Sequence, residues 1–370
     1  MSSFNDFDLL ESLRETLAEK KFTTPTEIQE LTVPKLLNGK SVAGVAETGS
    51  GKTLAYALPL LHMVKSLELG GEGVEDNSRP RALVLVPSRD LGEQVLKVFK
   101  NFTHTTRVRV RPLLGGTTSE MGRRNVANTF EILVATPGRL VQFLDRRLID
   151  LSDVRTLVFD EADQMLDQGF LPDANKIANA CPEERQMVLF SATVSPQVHE
   201  LINQLFGDTK VIKSEGHHHV TATLTTQNRT VENGKRFPLL KNLIAEPTEG
   251  GTIVFTNTRE QCDIVAEEFK SLNTECAVYR GEMDKLDRRK NLRAFRDGKV
   301  KFLVSTDLGA RGLDVEHVGR VVNYHLPKQM DNYLHRVGRT ARAGRAGLVI
   351  NFVTERDLPL IRALGKIQPE

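Results

Sequence analysis

Short apolar runs rich in β-branched residues recur along this chain, and longer stretches of helical periodicity separate them. The runs lie at 41–46, 81–86, 131–135, 156–159 and 187–190, then, after a break, at 252–255, 277–279, 301–305, 320–324 and 348–352. The helical stretches include 53–67 and 259–272. A run with no polar alternation reads as a strand buried on both faces, and such strands alternating with helices build parallel βαβ units. Two series predict two α/β lobes, and 370 residues suffice for two domains of ordinary size. The predicted boundaries are 1–212 and 227–370. The break at 213–226 reads KSEGHHHVTATLTT, has no apolar period, and is predicted to be the linker. Its histidines, His217, His218 and His219, have no acid or cysteine at metal-ligand spacing, so a solvated linker is the preferred reading over a metal site. A loop at 68–79, rich in glycine and acids, is predicted to be mobile.

No apolar run approaches the roughly 20 residues that cross a bilayer, so no membrane association is expected. Residues 1–11 carry acids and no apolar segment, unlike a signal peptide. The cysteines, Cys181, Cys262 and Cys276, form no CxxC pair, which speaks against a disulfide framework or zinc site and for a reducing cytoplasm. The formal net charge is only +2, so any nucleic-acid binding must come from local patches.

The chemistry begins at Ala46-Glu-Thr-Gly-Ser-Gly-Lys-Thr53, between an apolar strand and a helix. Backbone N–H groups of Thr48, Gly49, Ser50 and Gly51 can cradle phosphates at the positive end of that helix. Lys52 can reach the outer phosphates, and Thr53 can hold Mg²⁺. The strict pattern has glycine where Ala46 stands. A second apolar strand ends in Asp160-Glu-Ala-Asp163. A carboxylate at such a strand end suits a magnesium ligand, here Asp160, and Glu161 can orient or deprotonate an attacking water. Acids there also cap helices, but beside a phosphate loop the catalytic reading prevails.

Asp-Glu-Ala-Asp at 160–163 resembles the signature of the DEAD-box RNA helicases, and further motifs follow in the family's order from about Phe4 to Phe352. The resemblance implies two tandem RecA-like domains, each a mainly parallel sheet flanked by helices. Phe22-Thr-Thr-Pro-Thr-Glu-Ile-Gln29 is similar to the Q motif, which implies that Gln29 reads the adenine edge and that Phe4 stacks on the ring. Phe4 could instead staple the first helix. The usual glycine before the motif aromatic is Lys21. Pro87-Ser-Arg-Asp-Leu-Gly92 resembles PTRELA, with departures at Ser88, Asp90 and Gly92. By the resemblance, Pro87 and Arg89, Gly115 and Gly116, and Thr136 and Arg139 contact RNA. Ser191-Ala-Thr193 resembles motif III, whose hydroxyls can bond Asp163 and link the ATP site to lobe closure.

The second lobe has no Gly-Lys-Thr loop, so it is not a second independent ATPase. Its Tyr333-to-Arg342 segment resembles motif VI. Arg336, Arg339 and Arg342 repeat every three residues, which predicts one helical face. The resemblance assigns Arg339 and Arg342 as arginine fingers acting across the cleft, with His335 and Arg336 in interdomain coupling. The usual glycine between the last two arginines is Ala341. Residues 305–314 resemble motif V, implying RNA contact by Thr306 and ribose contact by Asp314. Residues 252–259 resemble motif IV. Gly281 and Arg288 match a family segment and are expected at RNA phosphate. Arg280 and Lys285 replace that segment's histidine and glutamine, and their work is left open.

The resemblance thus implies an ATP-dependent RNA helicase: an RNA-stimulated ATPase using ATP and Mg²⁺, closing on single-stranded RNA or a short duplex with little sequence preference. An ATP-gated RNA clamp that unwinds little is the alternative. A monomer is expected, with protein partners of ribonucleoprotein or degradosome type. The short sequence after the second lobe fits a minimal bacterial-type helicase or a piece of something longer.

Overall fold

Each predicted run forms a strand, and parallel pairing joins the strands into two sheets, one in each of two units, residues 1–217 and 218–370. The computed structural model describes residues 3–47, 49–207, 209–214, 224–281, 283–307, 315, 317–341 and 346–365.

The first unit holds β1 (Val42–Val45), β2 (Ala82–Leu85), β3 (Val110–Leu113), β4 (Ile132–Ala135), β5 (Thr156–Phe159), β6 (Gln186–Ser191) and β7 (Val211–Lys213), in the spatial order β3-β4-β2-β5-β6-β1-β7. Successive side chains feed opposite faces. Val84, Val134, Val158 and Val188 enter one core with Phe99 and Leu58. Leu83, Leu133, Leu157 and Leu189 enter the other with Phe143 and Ile177. Two apolar faces explain why these strands show no polar alternation.

The second unit repeats the design with β8 (Leu224–Thr230), β9 (Gly251–Thr256), β10 (Cys276–Tyr279), β11 (Phe302–Thr306), β12 (Val318–Asn323) and β13 (Gly347–Val353), ordered β10-β11-β9-β12-β13-β8. Here Ile253, Leu303, Val321 and Val349 face one core, and Val254, Val304, Val322 and Ile350 the other.

Two expectations change. Lys213 closes β7, and Leu224–Thr226 opens β8, so both ends of the predicted linker belong to strands; His217, His218 and His219 lie outside the described residues. The loop predicted to be mobile is pinned in its second half. Arg79 pairs with Asp76 at 2.7 Å and Asp150 at 3.5 Å, and Ser78 donates its hydroxyl to the Val126 carbonyl at 2.5 Å. Among the described residues no helix is long and apolar enough to cross a membrane.

Candidate active site

In the first unit, sheet order sorts the motifs. The phosphate loop follows β1, Asp160 follows β5 and Ser191 ends β6, and these three strands are neighbours. The segments at Arg89, Gly115 and Thr136 follow β2, β3 and β4, also neighbours. Ligands of open parallel sheets bind beyond the carboxyl ends of the strands, so one edge offers two adjoining sites.

At the first site Gly49 and Gly51 take φ of 91° and 89°, a region glycine enters without steric cost. Gly51 caps the helix Lys52–Leu69. A Cβ on Gly51 would stand 2.4 Å from Gln29 Nε2, so the loop and the Gln29 side chain fit only with glycine there. Gln29 is buried; its Nε2 donates to the Gly51 carbonyl at 3.0 Å and its Oε1 accepts from Thr26 N–H at 2.9 Å. An amide has two donors and two acceptor sites, so one of each remains for a base edge. Lys52 is buried and donates to the Ala46 carbonyl at 2.7 Å, across its own loop. Phe4 is 3% exposed and packs edge-on to Phe7 at 5.8 Å inside the core. Thr48 lies outside the described residues.

Asp160 is 2% exposed, and burial pushes its carboxyl above the ordinary value, opposed by the Tyr56 hydroxyl and the Lys52 charge. The Tyr56 hydroxyl donates to Asp160 Oδ2 at 2.7 Å. Nothing in the sequence singled out Tyr56: it sits in an apolar helix and reads as core. Burial, then Asp160, drives its own pKa well up, so it is a donor throughout the accessible range. Glu161 is 3% exposed and holds φ 50°, ψ 54°, at the start of the helix Ala162–Asp167. Asp163 Oδ2 accepts from both the backbone N–H of Thr193 at 3.1 Å and its hydroxyl at 3.2 Å, while Ser191 Oγ accepts from Asp163 N–H at 3.3 Å. Motif III is therefore tied to the acidic strand end by three hydrogen bonds, through three side chains and two backbone N–H groups.

The second site is built around a glycine turn. Gly115 N–H donates to Thr136 Oγ1 at 2.9 Å. Arg89 Nη1 donates to the Gly116 carbonyl at 3.4 Å, and Arg139 Nη2 to the Thr117 and Thr118 carbonyls at 3.3 and 3.1 Å. Pro87 precedes Ser88, whose hydroxyl caps the helix Arg89–Thr106 by accepting from Leu91 N–H at 3.3 Å. Gly92, the third departure from PTRELA, leaves the space that Leu114 fills; a Cβ there would meet Leu114 Cδ2 at 2.4 Å.

In the second unit Arg336 and Arg339 do not share one helix. The helix Met330–Val337 ends at its cap, Gly338, so Arg336 is helical and Arg339 lies in the following turn. Arg336 is 1% exposed. Its Nε and Nη2 grip Asp307, Nη1 donates to Asn323 Oδ1 at 3.0 Å and the His325 carbonyl at 2.6 Å, and Nη2 also donates to Asn257 Oδ1 at 2.8 Å. A guanidinium has five N–H donors. All are used inside this unit. Arg339 is 4% exposed, its Nε donating to the His335 carbonyl at 3.2 Å; His335 is half-buried on the helix. Arg342 and Asp314 lie outside the described residues. Thr306, at the end of β11, is buried; Gly281, after β10, is exposed. Arg288 lays its guanidinium 4.6 Å from the Tyr279 ring centre, and Arg280 pairs with Asp263 at 3.3 Å. Lys285 begins the helix Lys285–Arg296.

Residues 26–202 match the family DEAD/DEAH box helicase, and residues 235–344 match the helicase conserved C-terminal domain. The chain is 34% identical over 366 residues to the ATP-dependent RNA helicase DeaD of Mycobacterium tuberculosis, covering 99% of this chain and 63% of that protein. It therefore spans less than two thirds of that relative's length. It is also 34% identical over 370 residues to the DEAD-box ATP-dependent RNA helicase RhpA of Helicobacter pylori, covering all of this chain and 73% of that one. Among solved structures, S. cerevisiae Dbp5 bound to RNA and ADP BeF3 is similar with a TM-score of 0.86 at 28% identity, over 99% of this chain and 93% of that one. With the two strand-edge sites, these likenesses establish that the chain belongs to the DEAD-box helicase family.

Proposed function

We propose that this chain is an ATP-dependent RNA helicase that couples ATP hydrolysis to RNA binding and local strand separation. The supporting observation is the convergence of Lys52, Asp160, Glu161 and the Asp163–Thr193 link on neighbouring strand ends. In this reading the phosphate loop and Lys52 hold the β- and γ-phosphates, and Gln29 uses its remaining donor and acceptor on adenine. Thr53 and Asp160 would hold Mg²⁺. Hydroxyl and carboxylate oxygens are the hard donors a small divalent ion takes, and the ion would relieve the cost of a buried carboxylate. Bound there, it neutralises charge on the phosphates. Glu161 orients water, while Arg339 and Arg342 stabilise charge on the transferring phosphoryl group. Arg89, Arg139, Gly115, Gly116, Thr136, Gly281, Arg288 and Thr306 hold the RNA backbone, so sequence preference is weak. The three cysteines are free, as befits a reducing cytoplasm.

The test is release of a labelled strand from a short RNA duplex. With ATP, the unaltered protein should release it, and Lys52→Ala should not. Glu161→Gln should bind nucleotide and RNA yet fail to turn over. Turnover stimulated equally by DNA would defeat the RNA assignment, and no ATP-dependent release would leave a clamp.

A further inference from the structure

Charge is distributed very unevenly here. Residues 285–301 carry eight Lys and Arg against two Asp, a local net charge of +6, while the whole chain carries +2. The remaining residues are therefore net −4, and this one segment reverses the sign of the molecule. Most of it is the helix Lys285–Arg296, which follows edge strand β10. Its inner side is fixed: Phe295 is buried, Asn291 Nδ2 donates to the Val278 carbonyl at 2.9 Å, and Arg288 stacks on Tyr279. Its outer side exposes Arg289, Arg293 and Arg296, spaced as one stripe, with Lys290, Lys299 and Lys301 also exposed. The Arg293 side chain is 84% exposed, and its pair with Asp297 is loose at 3.7 Å.

We infer that this stripe is an auxiliary surface for the phosphate backbone of RNA, lying outside the strand held by the motif residues. The inference rests on the RNA-binding reading of the second unit. Three arginines over eight residues make a ridge of roughly 10 Å, about three nucleotides of stacked strand. It shares its helix with Arg288, which faces the inner side. A membrane surface would want an apolar face, and among the described residues this helix exposes only Leu286 as a large apolar side chain. A protein partner would want aromatic anchors, and the stripe carries none. Repeated charge without anchors suits a polyanion read without sequence preference.

The test combines Arg289→Gln, Arg293→Gln and Arg296→Gln in the full chain. Exposed positions leave the fold intact, which circular dichroism checks. Binding to single-stranded RNAs of about six and about twenty nucleotides is then measured across a salt series. The unaltered protein should bind the longer RNA more tightly and with a steeper salt dependence. The triple variant should keep its affinity for the short RNA, lose roughly 10-fold or more on the long one at low salt, and lose about 2 from the slope of log affinity against log salt. Equal long-RNA affinity and slope in both proteins would overturn the inference alone. No binding of either RNA by the unaltered protein would overturn the RNA reading and the inference with it. A poly-glutamate peptide that binds the stripe while the length effect survives in the variant would assign the surface to an acidic protein segment instead.

Discussion

Glu161 sits in the left-handed region at φ 50°, where a residue with a Cβ costs about 1–2 kcal/mol. Strain kept at a strand end beside a phosphate loop is strain the surrounding contacts enforce. Glu161→Gly should therefore match or exceed the original stability in urea, by up to about 1 kcal/mol, while ATP turnover is lost. A marked loss of stability would show that the side chain, not the strain, dominates there. Tyr56→Phe removes the hydroxyl on Asp160 and should cost about 1 kcal/mol of stability. It should also raise the Mg²⁺ concentration needed for nucleotide binding, measured by fluorescent-nucleotide titration; an unchanged Mg²⁺ requirement would leave Tyr56 purely structural. Lys52, Asp160 and Glu161 were legible because their chemistry lies in a contiguous motif. Tyr56 was not, because its partner is remote in sequence. Two of the places where the family has glycine carry a backbone consequence: Lys21 and Ala341 hold φ of 61° and 54°. Lys21→Gly and Ala341→Gly should each raise stability by up to about 1 kcal/mol in urea melts.

At the level of elements, apolar runs located the inner strands because each feeds two cores. β3, with Arg111 and Pro112, and β8, reading LTTQNRT, escaped notice because they are edge strands. An edge needs fewer buried side chains and tolerates proline. The motif VI spacing was legible, but its helix was overextended, since Gly338 stops it before Arg339. What spacing could not reveal is the knot around Arg336, which ties residues after β9, β11 and β12 to one guanidinium. Arg336→Met leaves the Asp307 carboxylate without that partner and should cost the second unit about 3–5 kcal/mol. Hydrogen exchange of β9, β11 and β12 would report it, and unaltered protection there would contradict the knot's structural importance.

Across the whole molecule, pH should act through a half-buried histidine, His325. Burial, with Arg236 and Arg336 nearby, pushes His325 down to about 4 from its ordinary 6.5, and its Nδ1 is buried without a partner. Between those values the unfolded chain binds the proton and the folded one does not. Stability from this group is full above pH 6.5 and is lost as pH falls toward 4. His325→Gln should flatten that part of the stability profile in urea melts from pH 7 to 4. The central proposal, however, is that ATP turnover is stimulated by RNA and needs Arg339. Steady-state ATP hydrolysis with and without single-stranded RNA tests it most directly, comparing the unaltered protein with Arg339→Ala. RNA should accelerate the unaltered protein, and the variant should retain RNA binding while losing about 10³-fold in turnover. Turnover that ignores RNA, or that survives Arg339→Ala undiminished, would contradict the account.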